Sequence, residues 1–320
     1  MPLRLPQGAF LVGLVVLTAV AGGPVRANAP TGPQTFQAAV SLVHLPVVVT
    51  TRDGVAVSGL TAANFEIVDG GEARDIVSFA GGSAEAVDSA LAPKVPLHLG
   101  VMLDKSESMA LDAKFAADAV VRFVEDTPDA EDVTFVAFDS TVRVSRFSPD
   151  SYLQLFTRIR ERTTGTQTAL YDAMGRYVGT THERRGQHVL LIYTDGGDSG
   201  RGINATDVRN LLREGNVLVY GIVYLENQSP SERARQRAVM TQLTRETGGE
   251  SYFPSSARDI TEIYERIRGE IASRYTIGYA VPAEAVDGRF RRVTVRLRGA
   301  GRQDLRVRTR SGYVVSGAPR

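Results

Sequence analysis

The 320-residue chain carries 37 basic and 36 acidic residues, four histidines and no cysteine. Balanced charge argues against a general nucleic-acid or acidic-membrane binder, and the lack of cysteine excludes disulfides, zinc–thiolate sites, thiol catalysis and a lipid-anchored lipoprotein. With 43% apolar and 23% charged residues the chain can bury a sizeable core, and its length allows two or three domains.

Residues 1–27 read as a secretory signal. Arg4 is the lone early charge, 9–21 is nearly uninterrupted apolar sequence, and Val25-Arg26-Ala27 offers small residues at a cleavage site. The apolar run is shorter than the ~20 residues of a spanning helix. Cleavage after Ala27 is therefore expected in preference to an uncleaved anchor. The mature protein would be exported, periplasmic or extracellular, with no stable membrane span. Loss of Arg4 and Arg26 leaves its charge within one of balance.

Residues 28–94 form an amino-terminal β segment. Val47-Val48-Val49-Thr50-Thr51 runs into Arg52-Asp53-Gly54, and Phe65-Glu66-Ile67-Val68 runs into Asp69-Gly70-Gly71. Asp-Gly after a β-branched run predicts a hairpin. The small, polar stretch 83–94 reads as a linker.

From 95 to 273 strand and helix patterns alternate. Strands are expected at 97–103, 133–138, 189–194 and 217–223, with 142–147 as an antiparallel edge. Helices are expected at 111–125, 151–162, 169–180, 207–214, 230–246 and 259–271. Apolar strands alternating with amphipathic helices predict an α/β fold with a doubly wound, mostly parallel sheet covered on both faces.

The carboxy-terminal segment, 274–320, is β again. Tyr275, Ile277 and Tyr279 alternate with smaller residues, and Val293, Val295 and Leu297 alternate with Arg292, Thr294, Arg296 and Arg298. This period of two, with Arg on one face, describes a sheet with one wet side. The β-patterned stretches themselves, about 35–81 and 274–315, are each only about 45 residues, marginal alone without disulfides. The two are expected to join in one small β-sandwich, with the α/β domain inserted between them.

The chemistry-bearing residues cluster at predicted strand ends. Asp104-Lys105-Ser106-Glu107-Ser108 follows the apolar run 97–103, Asp195 closes the strand 189–194, and Thr168 lies in Gly165-Thr166-Gln167-Thr168-Ala169-Leu170. Carboxylates and hydroxyls are hard oxygen donors, suited to Mg²⁺, Mn²⁺ or Ca²⁺ rather than zinc. The carboxyl ends of strands are where open α/β sheets bind ligands. The bland alternatives are helix capping for Ser106 and Ser108 and a plain turn for Asp195-Gly196-Gly197.

The three segments, in this order, resemble the metal-ion-dependent adhesion site of von Willebrand factor A (VWA) domains. That resemblance implies Ser106, Ser108 and Thr168 as direct or switchable ligands of a divalent cation. Asp104 and Asp195 would be outer-shell or alternating ligands. It further implies Mg²⁺ as the ion, with Mn²⁺ and Ca²⁺ as alternatives, and a protein ligand that offers a carboxylate. Thr166 is the rival of Thr168, and Asp172 and Asp198 are weaker candidates for loop-holding roles. Many members have Gly where this chain has Glu107, which is not a ligand position. Outside the site, Gly59-Leu60-Thr61-Ala62-Ala63-Asn64-Phe65-Glu66-Ile67 and the segment from Tyr275 to Tyr313 resemble the acidobacterial-type VWFA-related exported proteins.

Rival readings are an enzyme, an anionic-surface binder and a scaffold with a vestigial metal site. His44, His98, His182 and His188 lack metalloprotease spacing, and no Gly-x-Ser-x-Gly elbow or phosphate-binding loop occurs, so no enzyme is expected. The arginines Arg289, Arg291, Arg292, Arg296, Arg298, Arg302, Arg306, Arg308 and Arg310 could bind an anionic surface. Their simpler reading is the solvent face of a hairpin.

Overall fold

The strand β5 (Leu97–Asp104) is buried along its whole length, as an apolar strand covered on both faces must be. It is the centre of a six-stranded sheet in a computed structural model that describes residues 41–82, 95–109, 113–162, 165–281, 288–299 and 304–314. Parallel to β5 lie β6 (Ala130–Phe138) on one side and β8 (Gln187–Thr194) on the other. Next to β8 come β9 (Val217–Val223) and the short β10 (Ser251–Tyr252). The far edge is β7 (Val142–Phe147), antiparallel to β6 as expected. Counted within this sheet the order is 3-2-1-4-5-6, so the topological switch point falls between β5 and β8.

Helices cover both faces. On one, α1 (Ala113–Glu125), α2 (Tyr152–Arg160) and α6 (Ala257–Ser273) bury Val120, Leu155, Ile159, Ile260 and Tyr264 against Leu99, Val101 and Leu103. On the other, α3 (Leu170–Thr181), α4 (Ala205–Glu214) and α5 (Pro230–Glu246) bury Met174, Leu212, Met240 and Leu243 against Met102, Leu190 and Ile192. Helix starts follow their capping residues. Asn204 with Asp207 and Ser229 with Glu232 form capping boxes, and Pro230 opens α5 where its missing N–H costs nothing.

The remaining strands make two antiparallel four-stranded sheets. One runs β13 (Arg306–Thr309), β1 (Ser41–Thr50), β11 (Tyr275–Val281), β4 (Ile76–Gly81). The other runs β14 (Gly312–Val314), β12 (Phe290–Leu297), β2 (Phe65–Asp69), β3 (Glu72–Arg74). Strands from the two ends of the chain pair in both sheets: β1 with β11 and β13, and β2 with β12. The facing sides share one core, with Leu45, Val47, Ile67, Val293 and Val295 around the rings of Phe65 and Tyr275, 5.3 Å apart. The expected fold class, an α/β doubly wound sheet with a flanking β-sandwich, is the one observed.

Two local readings differ. The Asp69-Gly70-Gly71 turn joins β2 to β3 in a hairpin, with Gly70 and Gly71 at φ 61° and 94°. Asp53-Gly54 also turns the chain into a short antiparallel return, with Thr51 N–H bonded to the Val55 carbonyl, Val57 N–H to the Val49 carbonyl and the bridge Thr50–Ala56, but no further ladder follows. The neighbours of β1 come instead from the far end of the sequence. The Arg-rich face is not uniformly wet either. Arg292 and Arg296 are exposed, but Arg310 is buried and donates to the carbonyls of Gly312 and Arg213 (2.7 and 2.6 Å). Residues 1–27 and 83–94 lie outside the described residues, and among those described no helix is long and apolar enough to cross a membrane.

Candidate metal site at the switch point

Asp104 is the last residue of β5 and Thr194 the last of β8, so the two parallel strands deliver both to the same edge of the sheet. Asp104 Oδ2 accepts a hydrogen bond from Thr194 Oγ1 at 2.6 Å. Its Oδ1 accepts from the backbone N–H of Ser106 at 3.0 Å, the bond that folds the loop back over the strand end. This turn places Ser106 Oγ 3.1 Å from Ser108 Oγ. Glu107 is exposed, and its N–H donates to the carbonyl of Gly165.

Asp195, one residue beyond β8, is also buried. Its carboxylate accepts from the N–H of Gly197 (2.9 Å) and from Gln228 Nε2 (2.9 Å). Burial lifts the Asp104 carboxyl to about 6, and the neighbouring charge of Asp195 adds to the lift against the hydrogen bonds from Ser106 and Thr194. Among the described residues neither carboxylate is bridged to a Lys or Arg. Both buried carboxyl groups are held by neutral hydroxyl, amide and backbone donors.

The Thr168 loop is fixed to both neighbours by its backbone. Gly165 bridges to Ser106, and Ala169 N–H donates to the carbonyl of Asp139, just past β6. A side chain at Gly165 would place its Cβ 2.5 Å from that of Asp139, so only glycine lets the loops approach this closely. Thr168 itself donates its N–H to Ser199 Oγ (2.8 Å) and accepts from the N–H groups of Ser199 and Gly200. The loops carrying Asp104, Ser106 and Ser108, then Thr168, then Asp195 are thus stitched together at the switch point. Thr166 is exposed on the same loop.

The weaker candidates take supporting places. Asp198 Oδ1 accepts from the N–H of Tyr171 (3.1 Å), capping α3 from outside, since the residue before that helix is Ala169. Asp172 Oδ1 accepts from the N–H of Ile203 (3.0 Å). Sequence reasoning missed Thr194 and Gln228. Adjacency of Thr194 to Asp195 at a strand end was a usable signal; Gln228, in the loop after β9, gave none. Beside the site a cavity of about 300 Å³ opens, with Asp104, Ser106, Lys114 and Arg162 in its wall.

The residues present fit a hard divalent cation. Among the described residues no three His, Cys, Asp or Glu side chains group as a metal site, so any ion here would rest on hydroxyls together with Asp104 and Asp195. Carboxylate and hydroxyl oxygens of the kind gathered at this edge suit Mg²⁺ or Ca²⁺.

No family model matches the chain, and no curated protein sequence matches it. Among solved structures it is similar to the PilB minor pilin from Streptococcus sanguinis, at 10% identity and a TM-score of 0.45, over 58% of this chain and 63% of that one. It is similar to a von Willebrand factor type A structure from Catenulispora acidiphila, at 12% identity and a TM-score of 0.46, over 87% and 74%. A third is the vWF domain of the type V pili tip protein Mfa5 from Porphyromonas gingivalis, at 11% identity and a TM-score of 0.43, over 55% and 96%. The chain spans less than two thirds of the pilin's length. At these identities and scores the likeness bears on neither ligand nor activity. The architecture itself is a doubly wound sheet of order 3-2-1-4-5-6 with an antiparallel edge strand.

Proposed function

We propose that this chain is an exported protein-interaction module whose switch-point cluster holds one divalent cation and, through it, an acidic group of a protein ligand. The observation that carries the reading is the geometry of Asp104 and Asp195, two buried carboxyl groups at adjoining strand ends that no Lys or Arg bridges among the described residues, with the Ser106 and Ser108 hydroxyls 3.1 Å apart beside them. Ser106, Ser108 and Thr168 would hold the ion by their hydroxyls, with Asp104 and Asp195 outside or alternating with them. Mg²⁺ is the preferred ion, with Mn²⁺ and Ca²⁺ as alternatives. Neutral hydroxyls leave such an ion strongly electropositive, which is the chemistry it supplies for a ligand carboxylate. Gln228 and Thr194 hold the two carboxylates in place, and the backbone stitching of the Thr168 loop fixes its distance from them.

Binding fits these residues better than catalysis. His98 and His188 sit near the opposite, amino-terminal ends of β5 and β8. The test is calorimetric titration of residues 28–320 with Mg²⁺, Mn²⁺ and Ca²⁺. The wild type should bind one ion, and Asp104→Ala, Ser106→Ala and Thr168→Ala should each lose at least tenfold in affinity, about 1.4 kcal/mol. A wild type that binds none of the three ions would favour a scaffold with a vestigial site.

A further inference from the structure

Three of the chain's four histidines, His44, His182 and His188, line one cavity of about 510 Å³, and the fourth, His98, stacks on His188 with ring centroids 4.9 Å apart. The cavity lies at the end of the sheet opposite the switch point, between the start of β8 and strands β1 and β11 of the sandwich. Arg184, Arg185 and Arg274 also line it, against a single acid, Glu214. Pro46, Val95, Val189 and Leu218 supply an apolar wall.

The basic groups differ in how far they are already engaged. Arg184 is tied to Asp132 and Thr134 and builds the wall. His188 donates Nε2–H to the carbonyl of Arg184 (3.1 Å), and His98 Nε2 donates to that of Arg185 (3.2 Å), which fixes the 184–185 turn over the paired rings. Arg274 gives its hydrogen bonds to neutral oxygens, Gln187 Oε1 at 2.5 Å and the carbonyl of Ile271. Burial pulls its guanidinium down to about 10, with Tyr220 and Asp129 opposing. Arg185 is exposed at the rim, and no side-chain hydrogen bond or ion pair engages it among the described residues. A cavity of this size suits a small molecule, and apolar walls with a few convergent charged groups are the usual make-up of such sites.

We propose that this cavity binds a small organic oxyanion, its carboxylate or phosphate on the Arg185–Arg274 side and its apolar body against Pro46 and Val95. Planar guanidinium forks match both head groups. The site uses none of the switch-point residues and needs no metal.

The experiment is thermal denaturation and calorimetry of residues 28–320 in EDTA, with phenylacetate, phenyl phosphate and the neutral 2-phenylacetamide as probes. The two anions should raise the melting temperature saturably in the millimolar range while the amide does not, and the tighter anion identifies the head group. Arg185→Glu, a rim substitution that leaves the core intact, should weaken anion binding at least tenfold, and Asp104→Ala should leave it unchanged. Equal stabilisation by the amide, no stabilisation by either anion, unchanged binding in Arg185→Glu, or loss of binding in Asp104→Ala would each overturn the assignment.

Discussion

Thr194 Oγ1 donates to Asp104 Oδ2 across 2.6 Å, joining the last residues of two parallel strands that are 90 positions apart in sequence. The same hydroxyl accepts from the N–H of Gly196 (3.1 Å), so one side chain orients the carboxylate and starts the turn that carries Asp195. Thr194 has no exposure and Asp104 almost none, so water cannot replace the bond. Thr194→Val keeps the shape and removes the donor. Its expected cost in metal-free protein is about 1–3 kcal/mol in denaturant unfolding, the penalty of a buried acceptor left unmet. Thr194→Ser should recover most of it. Equal stability of the valine variant and wild type would show that Asp104 finds another donor.

Lys105 holds the next loop. Its Nζ donates to the carbonyls of Ile159 (2.6 Å) and Glu161 (2.8 Å), closing the carboxy end of α2 with a cation where the helix dipole favours one. Burial brings its ammonium down to about 8, with Glu161 opposing. Lys105→Met would leave two carbonyls without partners. The expectation is a loss of about 1–3 kcal/mol, with faster amide exchange at Glu161, which donates to Thr157, and at Glu107, which donates to Gly165. Unchanged exchange at both amides would reduce Lys105 to a space-filling residue.

What the sequence made legible follows the range of the forces involved. The bounds of α5 and β9 were readable to the residue, because Ser229-Pro230-x-Glu232 signals a helix start and 217–223 is a bounded apolar run. The convergence of the strand ends that carry Asp104 and Thr194–Asp195 was readable because neighbouring strands of a doubly wound sheet end together at the switch point. The partners of β1 were less so. Asp53-Gly54 pointed to a local hairpin, while the ladder that forms reaches residues more than 200 positions away. Periodicity reports which face of a strand is buried, not which strand lies beside it. Gln228 and Arg308 escaped for the same reason, since their partners are set by tertiary contact.

Asp259 makes the acid limb of stability partly local. Its carboxylate accepts from the hydroxyl and N–H of Ser255 (2.8 Å each) and of Ser256 (2.9 Å each) at the start of α6. Those bonds, the Ser255 hydroxyl foremost, hold it at about 2 against an ordinary 3.8. A carboxyl depressed in the folded state contributes stability that is fully present above 3.8 and lost as pH falls through 2. The carboxyl resonance of Asp259 should therefore titrate near 2. Asp259→Asn should unfold with a shallower pH dependence between 4 and 2 than wild type. Identical slopes would place the acid sensitivity elsewhere.

Glu270 and Arg308 tie the sandwich to the α/β layer. Glu270 on α6 is buried. Its carboxylate is in ion-pair contact with Arg308 on β13 and accepts from Tyr252 OH (3.1 Å) on β10, and Arg308 also reaches Glu250 (3.3 Å). Against its burial, neighbouring Tyr220 and then the Glu270 and Glu250 carboxylates hold the Arg308 guanidinium above its ordinary value. Arg308→Met strands the buried Glu270 carboxylate and should cost about 3–5 kcal/mol in denaturant unfolding, whereas Glu270→Leu leaves Arg308 paired with Glu250 and should cost less. The double substitution Glu270→Leu with Arg308→Met removes both charges and keeps the volume. It should cost much less than the two single changes together, because the penalty lies in the unpaired ion rather than in the missing bridge. Additive losses in that cycle would mean that the two side chains contribute through packing alone.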